Sequence, residues 1–423
     1  MSESTIKSIF DLPEFKPYKK AWRNRLDTLT KRASYYDGSI YDSARNSLGW
    51  LAPRIFKNIK PLYLPLARAV DIDAGIIPGG WALPADDPKT KAWQKAIDTV
   101  FDWSSWDTDG VLYIHYGAEM GLTGLKISDQ RDDGRVLVQP VDPTLFMPIG
   151  MRMYDNSPDI CLYIEKREDQ DGKTFEYAEV IKPKTIRTFK DGVPYGFDDR
   201  KEQYENMLGF VPYVEVRHVE TGQPYGEATF QKSIALLDEV NQLASQLAMI
   251  ISQHSTPQWA VSGAEPSDLT HGSENVWFLP EGATVNILVP QIDIEGVLSF
   301  IQEIAKGVKE SLPELSFDDL KSRDQVATRT IELQLMELVL KIKRVRPNYD
   351  RGLVSALKMA GKAAKTMGGL GEVAALDDEE LILDATRAIL PQDELDMIQL
   401  ETARLELEQL QNSTINEGVN AES

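Results

Sequence analysis

Few side chains in this 423-residue sequence stand at spacings that could do chemistry. The carboxylate pairs Asp71/Asp73 and Asp318/Asp319 come first, because two metal ions held by such groups would suit a nuclease. Asp71 and Asp73 fall in an apolar helical stretch, where residues two apart point to different faces and cannot together chelate one ion. His115, His218, His254 and His271 form no i, i+4 pair and lie beside no cysteine cluster, so structural roles are expected and no zinc. Cys161 is the only cysteine and sits in a strand-like stretch, where a buried, inert thiol is expected. A lone cysteine forms no intramolecular disulfide, which suits a reducing cytoplasm. No glycine-rich loop ends in Gly-Lys-Ser/Thr; Gly368 to Gly371 lacks the lysine and the preceding strand. No Gly-x-Ser-x-Gly elbow is present. Trp50, Trp81, Trp93, Trp103 and Trp106 sit among Asp and apolar residues rather than cations, which fits packing better than base stacking. The expectation is a protein without catalytic residues, cofactor or metal.

Composition points the same way. Apolar residues make up 42% and charged residues 26%, values of a globular protein long enough for two or three modules. No run reaches the about 18 consecutive apolar residues of a membrane span, so no membrane is expected as a partner. Met1 to Phe10 lacks the features of a secretory signal. The net charge of -20 argues against gripping DNA through a broad basic face. Charge is also polarised: residues 1–70 carry 13 basic and 6 acidic side chains, and residues 376–423 carry 13 acidic and 2 basic. Opposite ends can meet different partners, or neighbouring copies, by complementarity.

The elements follow from periodicity. Trp22, Leu26 and Leu29 mark a cationic amphipathic helix over 18–34, closed by Tyr35-Tyr36-Asp37-Gly38. Helices are predicted over 62–77, ended by Pro78-Gly79-Gly80, and over 89–101. Residues 110–215 read as a strand-rich module, with segments at 112–116, 125–128, 136–139, 160–166, 175–181, 185–190 and 213–218. Helical period returns over 226–253, where Leu236, Val240, Leu243, Leu247 and Ile250 form one narrow stripe. Strands are expected at 258–261, 276–279 and 284–289, the last two as a hairpin across Pro280-Glu281-Gly282. From Asp293, a plausible N-cap, a second striped helix carries Val297, Ile301, Ile304, Val308 and Leu312. A polar stretch over 314–328 leads into a helix through Ile331, Leu335, Leu338, Ile342 and Val345, which Pro347 should kink or break. Helix resumes over 353–365, glycines 368, 369 and 371 form a hinge, and 393–410 is an acidic helix before a polar tail expected to be disordered.

This order of elements, an α+β arrangement of several modules, resembles the portal, or head-to-tail connector, proteins of tailed bacteriophages. Tyr35-Tyr36-Asp37-Gly38 resembles the family's early Tyr-Tyr-x-Gly, Ala69-Val70-Asp71 its following helix, Gly121 to Ile127 its glycine-containing strand and Val141-Asp142-Pro143 its short proline segment. The most specific run is Gly209-Phe210-Val211-Pro212, then Tyr225-Gly226-Glu227-Ala228, then Leu236 to Asn241 with Ser245, ending in Gly263. Residues 263–275 and the tail have no close counterpart.

The resemblance implies a ring, usually of twelve copies, at the unique capsid vertex of a virion, assembled in the host cytoplasm. It implies a wing over 1–228, stem helices over 229–255 and 293–312 around a clip at 256–292, and a tunnel loop at 313–328. Wing helices at 329–370, a crown at 371–411 and a tail at 412–423 complete the layout. The stripe residues Leu236, Val240, Leu243, Leu247 and Ile250, with Val297, Ile301, Ile304 and Val308, would pack the stem. Ser316, Asp318, Asp319, Lys321, Ser322, Arg323, Asp324 and Gln325 would face the lumen, a mixed-charge wall along which double-stranded DNA slides without sequence-specific contact. The implied partners are further copies of the chain, a terminase motor, the major capsid protein and neck or adaptor proteins. Two other readings stay open: a carboxylate-metal DNA-processing enzyme of the packaging machinery, and another virion ring or adaptor protein.

Overall fold

The computed structural model describes residues 8–42, 62–77, 88–130, 133–152, 156–169, 171–197, 201–254, 258–262, 284–288, 294–316, 328–367 and 371–382. In chain order the helices are α1 (Lys19–Tyr36), α2 (Leu66–Ile76), α3 (Pro88–Ser104), α4 (Trp106–Met120), α5 (Ile234–His254), α6 (Ile294–Glu310) and α7 (Thr328–Thr366). The strands are β1 (Leu122–Gln130), β2 (Arg135–Val141), β3 (Phe146–Ile149), β4 (Ile160–Glu168), β5 (Thr174–Ile181), β6 (Thr185–Lys190), β7 (Val193–Pro194), β8 (Gln203–Glu205), β9 (Tyr213–Arg217), β10 (Gln258–Ser262) and β11 (Thr284–Leu288). Helix and sheet are thus mixed, as the α+β expectation requires. The chain forms two compact units, one from Met1–Asp37, Pro65–Gln231 and Leu312–Ser423, the other from Gly38–Leu64 and Lys232–Ser311.

In the first unit, β1 is the middle of an antiparallel sheet ordered β2-β1-β9. Its register sets Ile127 opposite Val138 and Leu125 opposite Val214, and all four are fully or almost fully buried. Helix α3 covers this core with Trp93, Ala96, Ile97 and Val100, the i, i+3, i+4, i+7 pattern of one helical face. Ile97 and Val100 each contribute about 1.5–3 kcal/mol by leaving water. Gly124 in β1 has a packing reason: a Cβ there would stand 2.7 Å from the Tyr213 ring. A second antiparallel sheet runs β3-β4-β5-β6-β7, with β8 also pairing β6. Ile9, Phe10 and Phe15 pack with Leu162, Val180 and Phe189 of this sheet.

Several expectations are corrected. The segment 112–116, read as a strand, lies in α4. Its alternation is overridden by burial of Gly110, Tyr113, Ile114, Gly117 and Ala118, which recur at helical spacing. Helix α2 begins at Leu66 instead of 62, after Pro65. Helix α5 begins at Ile234 rather than 226, since Gly226 takes φ +60, outside the helical region. Pro347 does not break α7, which runs through it for 39 residues. A helix-interior proline costs about 3 kcal/mol; burial of Ile342, Val345, Tyr349 and Leu353 on both sides offsets that. Three short strands, β3, β7 and β8, carry no readable alternation and were not expected.

In the second unit, α5 and α6 pack against each other and β10 pairs β11 antiparallel, Gln258 opposite Leu288. The expected hairpin partner at 276–279, Gly368 and Gly369 of the glycine hinge, the acidic helix at 393–410 and the tail lie outside the described residues, while Gly371 stands in a turn.

Candidate functional site

The stem stripe is the first candidate. Of its residues, Val240, Leu247, Ile301 and Val308 are buried, while Leu243, Ile250, Val297 and Ile304 are half-buried. Leu236 departs from the stripe: it is 38% exposed, and the adjacent Leu237 is buried in its place. At the base of the pair the hydroxyls of Ser233 and Ser311 share a hydrogen bond of 2.7 Å. Asn241 is buried and fully employed, accepting from the Tyr63 amide at 2.9 Å and donating to the Tyr63 carbonyl at 3.0 Å. Ile251, Leu298 and Phe300 are 46, 44 and 56% exposed, so the helices carry apolar surface beyond what they bury on each other. By length and composition Ile234–Ile251 is apolar enough to cross a membrane, although Asp238, Glu239, Asn241 and Gln242 interrupt any continuous apolar run. Only 28% of it is buried.

Of the tunnel-loop candidates, the backbone of Ser316 ends a 3-10 turn, Pro313–Ser316. Asp318, Asp319, Lys321, Ser322, Arg323, Asp324 and Gln325 lie outside the described residues. The turn buries the first two residues of this polar stretch, Glu314 at 0% and Leu315 at 2% exposed.

Glu314 leads to a buried polar cluster that sequence inspection missed as a unit. Lys341 of α7 donates to Asp73 Oδ2 of α2 at 3.1 Å and also to Glu314 Oε1. Thr229 donates to Asp73 Oδ2 at 2.5 Å. Having spent its proton there, the Thr229 hydroxyl accepts from His218 Nε2 at 3.0 Å. That fixes His218 as the Nε2-protonated tautomer, whose Nδ1 accepts from the Tyr349 hydroxyl at 2.8 Å. Burial pulls His218 down to about 4, ahead of the opposing pull of Asp73, so the ring is neutral at pH 7 as this chain of donors requires. Burial, then Asp73, pushes Glu314 up to about 7 against the pull of Lys341. Lys341 is raised: burial works against its charge, but the two carboxyls outweigh it. The sequence signal was available in Glu314 between Leu312-Pro313 and Leu315, and in Lys341 between Leu340 and Ile342, charges set inside apolar runs.

Asp71 and Asp73 do face apart, with side chains 62% and 0% exposed. Lys341 already holds Asp73, so a cation stands where a metal reading would need an ion. Among the described residues no group of three or more His, Cys, Asp or Glu could hold one. Cys161 is fully buried, and burial raises its thiol far above the ordinary range. Beside it Arg25 pairs with Glu215 at 2.7 Å and donates twice to the Pro143 carbonyl, clamping α1 to β9 and to the segment before β3.

The family described as "Phage portal protein, SPP1 Gp6-like" matches residues 115–403, which include all of strands β1 to β11, the α5–α6 pair and α7. The chain belongs to this portal family. A solved structure, "Virion of native gene transfer agent (GTA) particle", contains a similar chain: 12% identity, TM-score 0.42, covering 86% of this chain and 89% of that one. No curated protein matches. The portal-family match spans the residues on which the resemblance rested from Gly121 to Gly263, and extends past α7.

Proposed function

We propose that this chain is a portal subunit whose copies close into a ring at one vertex of a phage capsid. The ring gives double-stranded DNA a passage for packaging and ejection and a platform on which the terminase motor and later the neck proteins dock. The observation that carries this reading is the portal-family match over 115–403. The helix pair supports it. Leu236, Ile251, Ile294, Leu298 and Phe300 leave an exposed apolar surface on one subunit that side-by-side copies would cover. In this reading α5 and α6 are the stem, β10 and β11 belong to the clip, and residues 313–328, which begin with the Pro313–Ser316 turn, are the tunnel loop. Residues 1–228 and α7 form the wing, and 371–411 the crown. Function then comes from oligomeric geometry, with no catalytic residue.

Particle mass and symmetry of the purified protein test the proposal, by light scattering and negative-stain imaging. A closed ring of about a dozen subunits is expected. A monomer or dimer at every concentration would overturn it. Deleting 316–325 tests the loop: the ring should still assemble while DNA packaging fails, and unaltered packaging would remove the assignment.

A further inference from the structure

The cluster around Lys341 has an imbalance that the portal role does not use. Two carboxyl groups, Asp73 and Glu314, face one ammonium, and all three come from different elements: α2, the 3-10 turn and α7. Asp73 and Glu314 have side chains 0% exposed, and Lys341 is 19% exposed. One oxygen of each carboxyl, Asp73 Oδ1 and Glu314 Oε2, is buried without a hydrogen-bond partner. The other groups nearby bring no second positive charge: His218 is the neutral tautomer held between Thr229 and Tyr349, and Tyr113 and Tyr349 are fully buried phenols whose ionisation burial suppresses. With both carboxyls ionised the cluster would hold one uncompensated negative charge away from water, which is costly.

We infer that Asp73, Lys341 and Glu314 form a proton-carrying clasp, in which a proton held on Glu314 balances the buried charge and fastens the Pro313–Ser316 turn to α2 and α7. Losing the proton leaves the excess charge, and the cheapest relief is for Glu314 to swing out to water, freeing the turn. The clasp is therefore firm in mild acid and loosens as pH rises through neutrality. Glu314 is the group that carries the proton because its ionisation lies nearest neutrality, raised to about 7. The Leu315 amide, which donates to the Leu312 carbonyl at 2.9 Å, reports the turn directly. The inference concerns the chain itself and holds whether or not the residues after 316 line a channel.

Hydrogen–deuterium exchange of the assembled wild-type protein tests it, with the intrinsic pH dependence of exchange removed. Protection of the Leu315 amide should fall about 20-fold between pH 5.5 and 7.5. The Val138 amide, bonded to Ser104 Oγ at 2.9 Å in the sheet core, should show no such fall. Glu314→Gln should abolish the pH dependence at Leu315. Lys341→Met, which removes the cation favouring ionisation, should extend the fall above pH 7.5. Flat protection in the wild type, an unchanged slope in Glu314→Gln, or an unshifted one in Lys341→Met would each overturn the clasp. Should Glu314→Gln fail to fold, the wild-type profile and the Lys341→Met shift still decide.

Discussion

The hydroxyl of Tyr349 donates to Nδ1 of His218 at 2.8 Å, and it does so from a site where no other residue at position 117 than glycine would fit. A Cβ on Gly117 would lie 1.9 Å from that hydroxyl oxygen and 2.9 Å from Tyr349 Cζ. The long helix α7 therefore docks on α4 through a phenol that needs both an empty backbone face and a neutral imidazole.

Tyr349→Phe should lower unfolding free energy by about 1–3 kcal/mol, the cost of leaving a buried acceptor without its donor. Gly117→Ala should cost at least as much through the clash. Combining Gly117→Ala with Tyr349→Phe should recover part of the loss, because the hydroxyl is the nearest clashing atom. Denaturant unfolding in a double-mutant cycle measures the coupling; strict additivity would contradict the geometry.

His218 and Glu314 make opposing contributions to pH dependence. The pKa of His218 is depressed from 6.5 to about 4, so its stabilising effect is complete above 6.5 and is lost as pH falls toward 4. Glu314 is raised from 4.5 to about 7, so its effect is complete below 4.5 and is lost as pH rises to 7. Between 4.5 and 6.5 the two nearly cancel, since the folded chain protonates Glu314 and the unfolded chain His218. Relative to wild type, His218→Gln should therefore lose stability with rising pH at up to about 1.4 kcal/mol per unit, and Glu314→Gln should gain it at a similar rate. Thermal or urea unfolding at pH 5 and 6.5 checks both signs.

The Arg25–Glu215 pair has side chains only 4 and 6% exposed, so cutting one partner strands a buried charge. Arg25→Met alone should cost about 3–5 kcal/mol, and adding Glu215→Leu should recover much of it. Unfolding midpoints of the two variants give the comparison; no recovery would mean that Arg25 acts chiefly through its bonds to the Pro143 carbonyl.

Leu298→Glu with Phe300→Glu places charge on apolar side chains already exposed on one subunit, 44 and 56%. The subunit should keep its fold, read by circular dichroism, while sedimentation shows the loss of large particles. Intact rings would show that this face is not the contact between copies.

How much of this was legible depends on what each residue's signal reports. Regular stripes and alternations, such as those of α3, β4 and β6, reflect one face buried against one neighbour, and these were readable within a few residues. The segment 112–116 was misread because Val111, Leu112, Tyr113 and Ile114 suit either structure, and only burial at 110, 113, 114, 117 and 118 settles it. Pro347 was misread because a local cost was weighed without the packing on both sides of it. The candidate loop residues follow from their position in the portal resemblance, and neither position nor polarity says where a side chain points. The clasp joins positions 73, 314 and 341, and no local pattern links residues so far apart.

The place of α7 in the chain has a consequence for how the protein is made. Leu338 to Ala364 complete the core that Trp93, Ile97, Val136 and Val138 begin. A nascent chain emerging from the ribosome must hold those earlier side chains for some two hundred further residues before their cover is synthesised, and sequence-distant contacts of this kind are slow to form. During that interval the half-built sheet is open to chaperones or to the wrong neighbour. The first unit can close its core only once α7 has been synthesised, long after the sheet that α7 covers.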